Sequence, residues 1–406
     1  MARHRTHSIE FKRRVVEEYL GGEPLHGLGK RHDLSRNLIL IWTSKLDDAS
    51  FPRLDYHSVL CQRQIKEAIM RMTALILAVV FAATSAAADT KLRCRAQSGE
   101  TAYFVNATPG YDHDRYGTAP RELMFQFGAF VASFDTDDDD DGDGINDLLS
   151  VPHWVAYEIK RYGPGPVFES PKPSPARPSP WYEMLELAFL ENQPGVTEND
   201  IDETYSGFGT GAGAPELGGK LVNRGHLAMK SHAQRIGWKQ ACNTHVFVNA
   251  VPQQKEMNQG DWLDLEAYSG AAANKFGRIW VIAGPVWENG QPIGMLGTPG
   301  EIPVAVPAGL FKILVKENPS EHAPDVLAFI YPQPKDDYVL CGQADLDTYD
   351  HTRFLVSVEE IETRTGLDFL RNVKFSDAAE RDQFKAQVAT ALWPVESDFY
   401  GFKCAR

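Results

Sequence analysis

Positive charge is what the larger part of this chain lacks. Of 406 residues, those beyond residue 69 carry 29 lysines and arginines against 46 aspartates and glutamates, whereas the first 69 carry 12 against 9. Neutralisation of phosphates by Lys and Arg supplies most nonspecific affinity for nucleic acid. An acidic body therefore excludes broad adhesion to a polyanion, and any such site must be local. Cysteine is scarce too, with five in all, and the spacings of Cys94, Cys242, Cys341 and Cys404 do not resemble a zinc site. The apolar run over residues 73–83 falls short of a comfortable bilayer span. What is there, 43% hydrophobic and 24% charged residues, is the composition of a globular protein with a sizeable core.

The flanks of that short apolar run are informative. Arg71 precedes it and Ser85-Ala86-Ala87-Ala88 follows, so residues 70–88 read as a secretory signal peptide cleaved after Ala88. The product is expected to be secreted or periplasmic, with no membrane in its mature form. Such a segment belongs at the start of a chain, which implies translation from Met70 or Met72, or two joined genes. Four cysteines follow it, an even number suited to an oxidising compartment and to two disulfides among three possible pairings. Cys94 with Cys242 and Cys341 with Cys404 is the preferred set, because it ties the N-terminal segment and the tail to the body.

Residues 1–69 form a separate, basic region. Phe11, Val15, Val16 and Tyr19, then Leu25 and Leu28, then Leu34, Leu38, Ile41 and Trp42 fall at helical spacing and predict three short helices. The strings Arg5-Thr6-His7-Ser8-Ile9-Glu10-Phe11-Lys12 and Gly29-Lys30-Arg31-His32-Asp33-Leu34-Ser35-Arg36-Asn37, with Ile41-Trp42, resemble the helix-turn-helix head of insertion-sequence transposases. That resemblance covers about the first 46 residues and implies that Ser35 caps a recognition helix whose Arg36 and Asn37 face the major groove. No transposase catalytic region follows, so the segment reads as a remnant.

Beyond the signal, residues 89–406 read as one domain with two unusual loops. In 135–147 the aspartates Asp139, Asp141, Asp143 and Asp147 alternate around glycines, as a hard cation with oxygen ligands requires. The loop resembles the calcium loop of thrombospondin type-3 repeats and the first part of an EF-hand, although Ser150 stands where the latter has its twelfth-position Glu. A structural Ca2+ and a solvated acidic loop are the two alternatives. Residues 162–180 hold seven prolines, which excludes regular structure over much of the span.

Three pieces carry the chemistry. Residues 220–228 are an extended run through Asn223-Arg224-Gly225-His226, and 244–249 is a β-branched, alternating second strand. Asn258 then opens a helix with Trp262, Leu265 and Phe276 on its buried face. The expectation is strand, strand, helix, with the histidine facing the helix. These residues resemble the DNA/RNA non-specific endonuclease family of the ββα-metal superfamily, whose pattern reads D-R-G-H, N-x-x-P-Q and N-x-x-x-W-x-x-x-E. Here the pattern appears as Asn223-Arg224-Gly225-His226, Asn249-Ala250-Val251-Pro252-Gln253, and Asn258 with Trp262 and Glu266. The likeness continues through Trp280-Val281-Ile282-Ala283-Gly284-Pro285, Val304-Ala305-Val306-Pro307, Phe311-Lys312 and Thr365-Gly366-Leu367-Asp368-Phe369, over residues 150–373.

The resemblance implies an α+β, ββα-metal nuclease fold with a central, mostly antiparallel sheet flanked by helices, behind the short all-α N-terminal segment. It also implies hydrolysis of phosphodiester bonds in DNA and RNA. His226 would be the general base, Asn258 the one protein ligand of Mg2+, or of Mn2+ in its place, and Glu266 a holder of metal-bound waters. Arg224 would steady the phosphate and Asn249 shape the site. Arg177, upstream of the histidine, is the expected phosphate arginine. Lys230 and Arg235, with His232 and Lys239, form a local basic patch for substrate. The chain departs from the family where Asn223 replaces Asp, Met229 replaces the proline after H-x-A, and Gly270 stands where an arginine often sits. The alternative is a weakened nuclease fold that binds nucleic acid or cations without cutting.

Overall fold

A computed structural model describes residues 8–20, 25–32, 34, 39, 42, 94, 108–117, 123–134, 149–163, 174–178, 181–182, 187, 190, 195–197, 201–209, 211, 213–319, 323–343, 349–402 and 404. The chain divides into two compact units, Met1–Thr90 and Lys91–Arg406. In the first, helices α1 (Ile9–Leu20) and α2 (Leu25–His32) bury Val15, Val16 and Leu28 with Leu34, Ile39 and Trp42. Ser35, Arg36 and Asn37 lie outside the described residues, as do the whole of 70–88 and Asp139, Asp141, Asp143 and Asp147. No helix among the described residues is long and apolar enough to cross a membrane.

The second unit is α+β, built on a seven-stranded sheet in the order β1-β2-β3-β6-β9-β10-β11 with every pairing antiparallel. Its strands are β1 (Leu123–Gln126), β2 (Val131–Phe134), β3 (Pro152–Lys160), β6 (Arg278–Val286), β9 (Gly309–Lys316), β10 (Asp325–Pro332) and β11 (Leu355–Val356), while β7 (Gly294–Leu296) and β8 (Val304–Val306) pair with each other outside it. The central strands β3, β6 and β9 are buried almost end to end, as runs covered on both faces must be. Strand alternation then sorts them. Val155, Tyr157, Ile159, Ile279, Val281, Leu310 and Leu314 enter the main core, whereas Trp154, Trp280, Ile282, Phe311 and Ile313 enter a second one on the far face.

That far face is covered by helix Val358–Thr365, whose Ile361 is buried there with Phe369. Ser357 caps it by accepting the Glu360 N–H at 3.0 Å, and Gly366 ends it at φ 67°, the left-handed region that glycine enters without strain. The near face carries the long helix Asp261–Phe276, with Trp262, Leu265 and Tyr268 in the main core.

A separate two-stranded ribbon stands beside that helix: β4 (Val222–His226) against β5 (Ala250–Gln254), antiparallel, with His226 opposite Ala250. The second strand is thus 250–254 and not 244–249. Residues 247–249 form a 3-10 turn instead. Pro252 argued against a strand, but a two-stranded ribbon has only edges and tolerates a missing N–H. The Gln333 amide binds the ribbon to the larger sheet's loops, donating to Pro252 O and Pro307 O at 3.0 Å and accepting from Gln254 N at 2.9 Å.

Candidate active site

Ribbon and helix meet at a groove of about 1050 Å3 that brings together Arg177, Asn223, Arg224, His226, Lys230, Asn258 and Glu266. His226 ends β4. Gly225 before it must be glycine, because a Cβ there would lie 2.7 Å from the Cβ of Gln253, which cannot swing away. The backbone just after His226 is clamped by Asn249, whose Oδ1 accepts the Ala228 N–H at 2.7 Å. Its Nδ2 donates to Ala228 O at 3.0 Å and Thr244 O at 2.9 Å. Asn249 is fully buried and does not line the groove, so it acts on the histidine through the turn.

The imidazole of His226 packs against Trp181, with ring centroids 4.5 Å apart, and edge-on to His245 at 4.9 Å. Burial holds it well below its ordinary value, and the charges of His245, Arg177, Lys230 and Arg224 push the same way. The ring is therefore neutral at neutral pH. Its Nε2 is enclosed without a hydrogen-bond partner, as are both ring nitrogens of His245.

Asn258 closes a single helical turn, Lys255–Asn258, rather than opening the long helix as the sequence pattern suggested. The break between the two is forced at Gly260, where a Cβ would lie 1.9 Å from the Val339 carbonyl oxygen. Cys341 N donates to Gln259 O at 2.7 Å, and the Cys341–Cys404 disulfide fixes that contact. The other bridge joins Cys94 to Cys242, so both disulfides match the preferred pairing. Two turns on, Glu266 lines the groove from a buried position, its carboxyl pushed up to about 7 by burial against the opposing pull of Lys312.

The cations divide. Arg177 is exposed at the groove, where its charge reaches both His226 and Glu266. Lys230 lines the groove and donates to Pro175 O at 2.6 Å, tying the proline-rich segment to the helical turn after β4. Arg224 pairs with Asp202 and lies over Trp181, 5.6 Å from the ring centre. Arg235 does not join them. Its guanidinium donates to Lys160 O at 3.0 Å and Gly270 O at 3.1 Å, and burial lowers it to about 10. Five residues after Lys230, it sits about 140° around a helix, which turns it from groove to core. A Cβ at Gly270 would come within 2.8 Å of that guanidinium, so the glycine makes room for it. His232 is also buried away from the groove, and Lys239 lies over Trp238.

A profile of the DNA/RNA non-specific endonuclease family matches residues 145–376, more than half of the chain. The chain belongs to this family. Among curated proteins it resembles nuclease EXOG, mitochondrial, of Danio rerio, 31% identical over 39% of this chain and 46% of that one. Human endonuclease G, mitochondrial, is 28% identical over 38% of this chain and 50% of its own length. The chain spans about half the length of the curated relatives it matches. Among solved structures, one titled as a crystal structure of the EndoG/EndoGI complex and the mechanism of EndoG inhibition overlaps 64% of this chain and 90% of its own at 19% identity. Its TM-score is 0.43.

Trp181, His245, Asp202 and Lys312 also build the site, and sequence reasoning gave none of them a role. Asp202 is 22 residues from the Arg224 it pairs with, and no local pattern joins such partners. Lys312 did leave a signal: a charged residue amid the apolar run Leu310-Phe311-Lys312-Ile313-Leu314, where buried charge is rare unless paired.

Proposed function

We propose that the groove is the active site of a secreted nuclease that hydrolyses phosphodiester bonds of DNA and RNA with a divalent metal ion, Mg2+ or Mn2+. One observation carries this reading: a neutral imidazole, a carboxamide and three cations share one cavity in an acidic chain. The residues fit a hard cation. Asn258 offers an amide oxygen, and Glu266 offers a carboxylate whose Oε1 is buried without a hydrogen-bond partner.

In this scheme Arg177, Arg224 and Lys230 hold the phosphate, and His226 removes a proton from the water that attacks phosphorus. Being uncharged already, His226 is ready to accept that proton. Glu266 orders waters on the groove floor. An ion held by Asn258 would offset the charge growing on the phosphate and on the departing 3′ oxygen. Contacts of this kind read the backbone and leave the bases unexamined, which accounts for indifference to sequence and sugar.

The test is digestion of supercoiled plasmid and of RNA by the full chain, with and without magnesium. Cleavage of both that EDTA stops is expected. Cleavage that continues in EDTA, or binding without cutting under every divalent ion, would remove the proposal. For export, N-terminal sequencing of the released protein should begin at Asp89, and a start anywhere within 1–69 would refute it. For calcium at the 135–147 loop, Tm should rise with added calcium and cease to do so in Asp139→Ala.

A further inference from the structure

Lys312 sits in the middle of β9 with no exposed surface. Alternation places it on the same face as Leu310 and Leu314, towards the main core and the long helix. Its Nζ has no hydrogen-bond partner. Within reach are the ring of Trp262, 3.8 Å from Nζ to its centre, and Oε1 of Glu266 at 3.7 Å. A buried ammonium is costly to hold unless something opposes its charge, and burial draws this one down from its ordinary range while Glu266 pulls it back up.

The other titratable groups facing the pair do not take its place. Tyr157 from β3 and His232 from the helical turn Lys230–Gln234 are both kept neutral by burial. Arg177 acts on Glu266 from the open side of the groove. Lys312 is the buried counter-charge in contact with the carboxylate, on the side away from solvent.

We propose that Lys312 is a positioning residue for the nuclease reaction, holding the Glu266 carboxylate against the groove from beneath while the Trp262 face supports the ammonium. The 3.7 Å separation matters. It supplies attraction at the enclosed Oε1, so the other carboxylate oxygen keeps its accepting capacity for waters in the groove. This inference rests on the nuclease reading of the groove and adds a residue to it.

Five proteins test it: the wild type, Lys312→Met, Lys312→Arg, Glu266→Gln and the Lys312→Met/Glu266→Gln double variant. The readouts are kcat and KM for plasmid cleavage, Mn2+ affinity by calorimetry, and Tm. Lys312→Met should lose about 10–100-fold in kcat and weaken Mn2+ binding by a similar factor, as loss of a group that orients a metal-site residue does. KM should move little, and Lys312→Arg should recover part of the loss. In the Glu266→Gln background the same Lys312→Met change should cost less than about threefold, because the two residues act as a unit.

Equal losses in both backgrounds would make Lys312 merely structural and overturn the inference. So would wild-type rates in Lys312→Met beside an impaired Glu266→Gln. Full activity in Glu266→Gln would instead sink the assigned role of Glu266 and the groove reading with it. If Lys312→Met alone does not fold, the double variant is compared with Glu266→Gln. Near-equal rates are then expected, and a gap of about tenfold would overturn the inference.

Discussion

Among the described residues of the main unit two lysines are buried, one on each face of the sheet, and their surroundings differ. Lys385, closing the helix Ala378–Lys385, donates to Glu362 Oε1 and Asp368 Oδ1, each at 2.7 Å. Lys312, beneath the groove, has a single carboxylate at 3.7 Å and an aromatic face, and no hydrogen bond. The first lysine joins the C-terminal helix to the loop around Phe369 and is satisfied by the fold itself. The second is held in an arrangement that the fold alone leaves incomplete, and the carboxylate it faces lines the cavity. Where polar groups serve stability they find full partners. Where they serve a site, some capacity stays open.

The comparison breaks first at His226. His226→Ala should lower the rate of plasmid digestion by about 10²–10⁴-fold, the usual worth of a general base, with Tm lowered only by the lost ring contacts to Trp181 and His245. A variant that cuts at the wild-type rate would take the groove out of the reaction. Next, Lys385→Met should do the opposite of Lys312→Met. It should leave kcat unchanged and cost about 1.5–3 kcal/mol of stability, the range for hydrogen bonds to charged groups, with the lower end favoured because Asp368 is largely exposed. Urea unfolding alongside plasmid cleavage checks both halves. Loss of activity at unchanged stability would erase the distinction between the two faces.

Acid sharpens it further. Burial lowers His226, His232 and His245 beneath the ordinary 6.5, His245 to about 3. Below pH 6.5 the unfolded chain takes up protons at these rings that the folded chain refuses. Stability therefore falls as pH drops from 6.5 towards the folded values, by up to about 1.4 kcal/mol per pH unit for each ring. Glu266, raised to about 7, gains a proton in the folded state first and works in the opposite sense, offsetting one ring of the three. The net slope is downward towards acid. Urea midpoints at pH 7.5, 6 and 5 should decline in that order, and a flat or rising series would contradict the buried, neutral rings. The smallest effect is expected at Asn223→Asp, which restores the family carboxylate at the groove. Its rate should rise by less than about tenfold, the modest end of what groups around a metal site contribute, and a fall would mean the amide is suited to this chain.

Much of the site was legible because it is local. Asn223 to His226 is one strand, and Asn258 to Glu266 spans one short turn and the helix after it, so contiguous motifs carried the family resemblance that pointed to them. Arg177 came to the groove although it lies 49 positions before His226. What failed has physical reasons. The second strand was expected at 244–249, where β-branched residues alternate, but the paired strand is 250–254, whose Pro252 is tolerated because the ribbon has only edges. Arg235 looked like a neighbour of Lys230, but charge clustering along a chain does not say which way a helical turn points. Lys312 and Glu266 are 46 residues apart and meet only once the sheet and helix pack. The antiparallel central sheet followed from the family resemblance, while its strand order depends on pairings that no local pattern fixes.

The central claim is that a divalent ion works beside Asn258, across the scissile phosphate from His226. Anomalous diffraction from crystals soaked in Mn2+ tests it directly. The account predicts a single strong peak in the groove, within coordinating distance of the Asn258 side-chain oxygen and with Glu266 close behind. A groove empty of manganese in crystals of protein that still cuts DNA would contradict it.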